Sequence, residues 1–353
     1  MIIKAHSKDY SVNLEPDFRF FDELKVKKNS LIVVDRNVYD LYKDILFSDV
    51  DEAGLFIIDA TEENKTMETV LKICEVFTTL SAKRNALLIS IGGGIVQDVT
   101  GFVANILYRG INWIFVPTTL LASCDSCVGS KTSLNYKQFK NLLGTFYPPD
   151  EIYICPEFFK TLTDIDFKSG LGEVVKFNVM SGTEGIALIE RDLGLLLERD
   201  TPTLNRYVEN SIAFKKPFVE RDEYDKAERI YLNFAHTFGH AIETVSSYKI
   251  PHGSAVAIGM LIANRISVSR GYFEEEVAER IEKICSRILT LHIDPAYFRI
   301  DGIINAIRKD KKQISDALTA VLLTADMHIG VFHDILPSEI TEAMEHIKKV
   351  LGI

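Results

Sequence analysis

Ala86-Leu87-Leu88-Ile89-Ser90-Ile91 runs directly into Gly92-Gly93-Gly94 and on into Ile95-Val96-Gln97-Asp98. The first six residues have the length and β-branching of a buried strand. Ile95 to Leu107 continues as a helix. A strand that ends in glycines and opens a helix lets backbone N–H groups approach a pyrophosphate with no Cβ in the way. The same turn also serves as a plain strand-to-helix connection without a ligand. Its spacing is not G-x-G-x-x-G, so a dinucleotide site here is of another type.

Working outward, Ser30 to Asp35, Leu55 to Asp59 and Trp113 to Val116 read as further strands, and residues 1–14 as an edge hairpin or pair of short strands. Met67 to Leu80 spaces its apolar residues as a helix does. Strands alternating with helices imply a largely parallel, Rossmann-like sheet with ligands gathered at the carboxyl ends of its strands. Asp35, Asn37, Glu62 and Lys65 fall just past such ends. Taken singly, the acids read as helix caps or loop residues; taken as a set along one sheet edge, they favour a nucleotide.

From about Pro156 the texture changes. Helices are expected at roughly 170–182, 203–217, 234–247, 253–270, 274–290, 301–310 and 338–351, with Leu318 to Leu323 the main strand. The expected organisation is therefore an α/β domain over 1–155 and a mainly α-helical domain over 156–353. A length of 353 residues suits two domains of about 100–200 each.

The net charge of −10 disfavours a nucleic-acid partner. The amino terminus has no signal-peptide pattern, and no apolar run is long enough to span a membrane, so a cytoplasmic location is expected. Five cysteines in this length make no disulfide framework. Cys124 and Cys127 form a lone C-x-x-C outside the thioredoxin context and without a second pair for zinc.

His236 and His240 sit one helical turn apart, with Glu243 nearby, His252-Gly253 following and Gly172-Glu173 preceding. Two imidazoles at i, i+4 are a common metal platform, and three protein ligands with an open position is the catalytic arrangement. Arg109, Lys131, Lys140, Lys176, Lys215, Arg229, Lys311 and Lys312 lie in or beside these glycine- and histidine-marked segments. Cations clustered on an acidic chain suit a small polyanionic substrate.

The ordered set Gly92-Gly93-Gly94 to Asp98, Arg109-Gly110, Pro117-Thr118-Thr119-Leu120-Leu121-Ala122, Asp125-Ser126 to Lys131-Thr132, Lys140-Asn141, Gly172-Glu173 to Lys176, Leu232-Asn233 to Glu243 and His252-Gly253 resembles the 3-dehydroquinate synthase family of sugar-phosphate cyclases. The resemblance covers nearly the whole chain. It implies a divalent metal, zinc or cobalt, on Glu173, His236 and His252, with His240 in the substrate pocket. It implies NAD on Asp35, Asn37, Glu62, Lys65, Gly93, Gly94, Asp98, Thr118 and Thr119, with Lys131 and Lys140 alongside. Substrate phosphate would meet Lys131, Asn141, Asn233 and one of Lys311 and Lys312, with Arg109 arriving from the other subunit of a homodimer. Lys215 and Arg229 would grip the substrate carboxylate, and Asp125 and Lys176 would lie near the reacting hydroxyls.

The implied reaction is a lyase cycle on a sugar-acid phosphate: transient oxidation by NAD, phosphate β-elimination, reduction and intramolecular aldol closure. Ser130, Asn135, Phe139, Asp225, Ala235 and Ser254 depart from the family pattern around the pocket, which bears on the choice of substrate. The competing readings are another cyclase, of amino-dehydroquinate, deoxy-inosose or valiolone type, and a metal-dependent polyol dehydrogenase.

Overall fold

In the computed structural model, which describes residues 1–79, 85–137, 139–309 and 318–353, the run before the triple glycine is an inner strand of a seven-stranded sheet. The strands of the first half are β1 (Ile2–Ile3), β2 (Tyr10–Leu14), β3 (Ser30–Asp35), β4 (Leu55–Ile58), β5 (Leu87–Gly92), β6 (Asn112–Pro117), β7 (Lys131–Tyr136), β8 (Phe139–Phe146) and β9 (Glu151–Ile154). Its helices are α1 (Phe20–Leu24), α2 (Arg36–Tyr42), α3 (Met67–Thr79) and α4 (Gly94–Ile106). The sheet order is β1-β2-β9-β6-β5-β3-β4, parallel throughout except for the β1–β2 pair at its edge. Leu31 to Val34, Leu88 and Ile89, and Ile114 to Val116 are buried, the near-continuous apolar pattern of strands covered on both faces.

Strand order decides where a ligand can enter. From β3 the chain steps to β4 on one side, then returns to β5 on the other and continues to β6 and β9. The direction of winding reverses between β3 and β5, so a crevice opens at their carboxyl ends. Asp35 ends one of these strands and Gly92 the other.

The second half contains α5 (Asp164–Met180), α6 (Thr183–Leu197), α7 (Thr201–Arg221), α8 (His236–Val245), α9 (His252–Ser269), α10 (Glu275–Ile288), α11 (Ile300–Lys309) and α12 (Pro337–Leu351). One antiparallel pair, β10 (Leu318–Leu323) with β11 (Ile329–Ile335), joins them. Residues from Gly253 to Asn264 are buried without interruption, so α9 is the core helix of this half. The chain divides into two compact units, Met1–Leu162 with Lys216–Tyr224, and Thr163–Lys215 with Asp225–Ile353.

The expected strands and helices are present, with ends shifted by a few residues, most at α5, which begins at Asp164. Elements that carried no clear signal are the short helices α1 and α2, the β7–β8 hairpin, β9, α6 and β11. The hairpin is interrupted by Lys140, Asn141 and Gly144, and much of β8 is exposed, so it lacks an apolar alternation. No described helix is long and apolar enough to cross a membrane.

Candidate active site

Two glycine contacts bring the metal-ligand candidates together. A Cβ on Gly172 would lie 2.0 Å from the Gly253 carbonyl oxygen, and one on Gly253 would lie 1.7 Å from that of Ser169. Only backbone against backbone fits there, so α5 and α9 meet at the residues next to Glu173 and His252. A Cβ on Gly259 would similarly fall 2.2 Å from the Ala235 carbonyl oxygen, which seats the start of α8, and with it His236, against α9.

The result is a convergent set. Nε2 of His236 and Nε2 of His252 each lie 3.3 Å from Oε1 of Glu173, and one donor atom from each of the three residues lies within 4.8 Å of the others. His236 Nδ1 donates to the Phe234 carbonyl at 3.0 Å, and His252 Nδ1 donates to Glu243 at 3.2 Å. Because carbonyl and carboxylate oxygens only accept, both rings carry their proton on Nδ1 and turn Nε2 inward. Glu173 is fully buried, yet neither of its oxygens receives a well-directed hydrogen bond, although Lys176 Nζ stands 2.6 Å from Oε2. A buried carboxylate left in that condition between two inward-facing imidazole nitrogens fits a divalent cation, with an oxygen-nitrogen-nitrogen donor set of the catalytic type.

Spacing alone pairs His236 with His240. The structure sets His236 with an acid from α5 and an imidazole from α9, Glu173 and His252, while His240, whose ring centroid lies as near His236 as that of His252 (5.4 Å each), falls into a second group with Glu243 and His252. Glu243, which the sequence suggested only as a neighbouring acid, orients His252. Burial opposes ionisation of Glu173, but Lys176 and His236 outweigh it and hold its pKa well below the usual carboxylate range. Burial, reinforced by the Lys176 charge, lowers His236 to about 3. Burial also works against a charge on His252, but the carboxylates of Glu173 and Glu243 on either side of the ring outweigh it and raise the pKa to about 10.

Three cations of the same unit are buried: Lys176, Lys215 and Arg229. Lys176 also donates to the Leu232 carbonyl at 3.2 Å. Arg229 and Asn233 lie on one short 3-10 segment, Glu228–Asn233, directly ahead of α8. Asn233 and His240 are half-buried.

In the first unit the candidates gather along the sheet's carboxyl edge. Asp35 caps α2, accepting the Asn37 N–H at 2.9 Å. Gly92 is required by packing, since its Cβ would meet Val96 at 2.5 Å. Gly93 caps α4 beside Thr119, whereas Gly94 is open, with only the Ser126 hydroxyl within reach at 3.8 Å. Thr118 donates its N–H to the Gly92 carbonyl at 2.9 Å, and the Thr119 hydroxyl accepts the Ala122 N–H at 3.1 Å.

Lys65 is buried, pairs with Asp98 and donates to Asn141 at 2.7 Å. Burial raises the Asp98 pKa against the pull of Lys65. Glu62 accepts from Asn135 at 2.8 Å and faces Lys140 at 3.4 Å. Asn135, one of the departures from the family pattern, thus ties this acid to the hairpin, where it also accepts the Asn141 N–H at 2.9 Å.

Lys131 is exposed at the start of β7, and Arg109 is exposed in a turn where Tyr108, Arg109 and Gly110 all have positive φ. Asp125 is half-buried in the turn Ala122–Ser126. Cys124 and Cys127 are buried free thiols that donate to the Leu121 and Ser123 carbonyls. Lys311 and Lys312 lie outside the described residues.

Two other departures share a cause. Ser130 and Ala235 replace glycines of the family pattern, and their φ values are +64° and +70°, in the left-handed region that favours glycine. Ala235→Gly should therefore stabilise the folded state by about 1 kcal/mol, the left-handed cost less the added freedom of the unfolded chain. An unchanged or lower melting temperature would contradict this account of the α8 start.

Comparison with known proteins gives the geometry a family. Models of the 3-dehydroquinate synthase N-terminal and C-terminal regions match residues 55–169 and 170–313. The 3-dehydroquinate synthase of Clostridium tetani is 37% identical over 94% of this chain and 90% of its own. That of Dictyoglomus thermophilum is 34% identical over 90% of this chain and 88% of its own. The 2-epi-5-epi-valiolone synthase of Streptomyces hygroscopicus, solved with NAD+ and Zn2+ bound, superposes with a TM-score of 0.84 at 25% identity, covering 96% of this chain and 97% of its own. With both family regions matched in order and relatives aligned almost end to end, the chain belongs to the 3-dehydroquinate synthase family.

Proposed function

We propose that this chain converts 3-deoxy-D-arabino-heptulosonate 7-phosphate to 3-dehydroquinate and phosphate, as an NAD- and divalent-metal-dependent lyase. The observation that carries the reading is the buried Glu173 carboxylate, without a well-directed hydrogen bond, between the inward Nε2 atoms of His236 and His252. When bound there, zinc or cobalt supplies Lewis acidity toward the substrate's oxygens, and NAD supplies reversible hydride acceptance.

The chain's own residues do the rest. Glu243 and the Phe234 carbonyl hold the imidazoles in the ligating tautomer. Lys176, buried beside Glu173, places a fixed positive charge where a substrate hydroxyl loses its proton. Lys215 and Arg229 receive the carboxylate, and their burial strengthens the charge match to that acid over the neutral groups of other cyclase substrates. Lys131, Asn141, Asn233 and one of Lys311 and Lys312 hold the phosphate, and Arg109 completes that site in a homodimer. Asp35, Asn37, Glu62, Lys65, Gly93, Gly94, Asp98, Thr118 and Thr119 form the NAD face at the sheet's switch point, with Lys140 beside them.

The direct test is phosphate release from the heptulosonate phosphate with NAD and zinc or cobalt. Phosphate should appear with no net NADH; NADH accumulating without phosphate would favour a polyol dehydrogenase. Metal uptake should also depend on pH in a definite direction. Between pH 6.5 and 8 the metal-free protein carries a proton on His252, with its pKa near 10, and none on His236, with its pKa near 3. Binding then displaces about one proton, so apparent affinity should rise about tenfold per pH unit in a chelator competition. A flat profile would show that metal binding displaces no proton from His252 in this range.

A further inference from the structure

The turn that leads into Lys131 is held by a buried carboxylate that no step above uses. Gly129 and Ser130 have φ of +126° and +64°, so two successive residues take left-handed backbone just before β7. Glu223 is 0% exposed. It accepts the Ser130 hydroxyl at 2.6 Å, the Ser7 hydroxyl at 2.6 Å and the Ser7 N–H at 2.9 Å. The Tyr10 hydroxyl accepts the Gly129 N–H at 3.1 Å, and Tyr224 packs edge-on against Phe146 of β8. All these residues belong to the first unit, which includes the Lys216–Tyr224 stretch, from the last turns of α7 onward.

A carboxylate taken out of water is retained only where hydrogen bonds satisfy it. A side chain at positive φ persists only where its surroundings over-determine it. Both conditions meet at the Ser130–Glu223 contact, and the hydroxyl that makes it is the group a glycine would lack. Lys131 itself is long and exposed, so its reach is set by where the turn places its Cα. We propose that Glu223 is a positioning residue, locking the Gly129-Ser130 turn through the Ser130 hydroxyl and thereby fixing where Lys131 meets the substrate phosphate. The inference rests on the reading of Lys131 as a phosphate ligand.

The test uses the full chain loaded with metal and NAD, in three forms: Ser130→Ala, Glu223→Gln and the double variant. Each single change should raise KM for the heptulosonate phosphate about tenfold while kcat stays within about threefold. The dissociation constant for inorganic phosphate should rise in parallel. The double variant should be no worse than the worse single one, because both changes release the same turn. A purely structural role would lower the melting temperature and leave the KM-to-kcat split unmoved.

Folded Glu223→Gln with unchanged KM and unchanged orthophosphate affinity overturns the proposal. Should that variant not fold, Ser130→Ala decides alone, since Glu223 keeps its Ser7 donors, and an unchanged KM there is equally fatal. A wild-type protein that binds orthophosphate but releases none from the heptulosonate phosphate refutes the proposed reaction, and the orthophosphate comparison still judges the turn. Wild-type protein that releases phosphate without measurable orthophosphate affinity leaves the reaction standing, and the KM comparison alone then judges the turn.

Discussion

Glu173→Gln should leave the protein folded but without zinc or cobalt, and phosphate release should fall by about three orders of magnitude or more. The residue sits where α5 and α9 touch through Gly172 and Gly253, which fixes the helix that carries its carboxylate against the helix that carries His252. Glutamine keeps the volume but offers a neutral oxygen, and the two imidazoles would retain the cation only weakly. Metal content and turnover should therefore disappear together when measured on the same preparation. A Glu173→Gln protein that stays inactive while holding a full equivalent of metal would move the ligand set elsewhere, His240 and Glu243 being the other acid-and-imidazole group among the described residues that includes His252.

Alanine at the same position separates two effects. It removes the ligand, and it also strips the buried Lys176 ammonium of its acid 2.6 Å away. Breaking a buried ion pair from one side costs about 3–5 kcal/mol in either variant, but alanine also removes the amide oxygen that glutamine leaves for Lys176 and opens a cavity, so Glu173→Ala should melt below Glu173→Gln. Adding Lys176→Met should restore much of that stability and none of the activity. If the double variant recovered turnover, the carboxylate would be serving the lysine and not a metal.

How much of this was legible in the sequence depended on the range of the interactions involved. Ser30 to Asp35 and Leu318 to Leu323 are strands with the ends expected, because buried strands need unbroken apolar, β-branched runs. The hairpin from Lys131 to Phe146 was legible as a set of chemical motifs and not as strands, since its residues were placed for polar contacts and much of it stays exposed. Helical spacing put His236 and His240 together. The pairing of His236 with Glu173 and His252 depends on three helices meeting across glycines, and no local period encodes that. The family resemblance supplied the triad in advance of the geometry. Glu223 was missed altogether: its partners Ser7 and Ser130 stand 216 and 93 residues away along the chain. Departures at Ser130 and Ala235 were visible as letters, but their meaning came only with φ.

Arg229→Ala should lower kcat/KM for the heptulosonate phosphate by about 10²–10³-fold, mostly through KM, if this buried guanidinium receives the substrate carboxylate. The magnitude follows from truncating one side of a desolvated, hydrogen-bonded charge pair, about 2–5 kcal/mol. Arg229→Lys should fall between, near tenfold, because an ammonium keeps the charge but loses the two-pronged match to a carboxylate. The decisive comparison uses an analogue with a hydroxymethyl group in place of the carboxylate. Wild type should handle it poorly, and Arg229→Ala should handle it no worse than wild type does, since the missing partners belong to one interaction. Lys215→Met should behave the same way in parallel. Equal losses on both substrates would mean that Arg229 supports the fold ahead of α8 and does not touch the carboxylate. Unchanged kinetics on the natural acid would instead turn attention to a cyclase whose substrate has no carboxylate, because a guanidinium only 4% exposed needs an anion that arrives with the substrate or one the protein already holds.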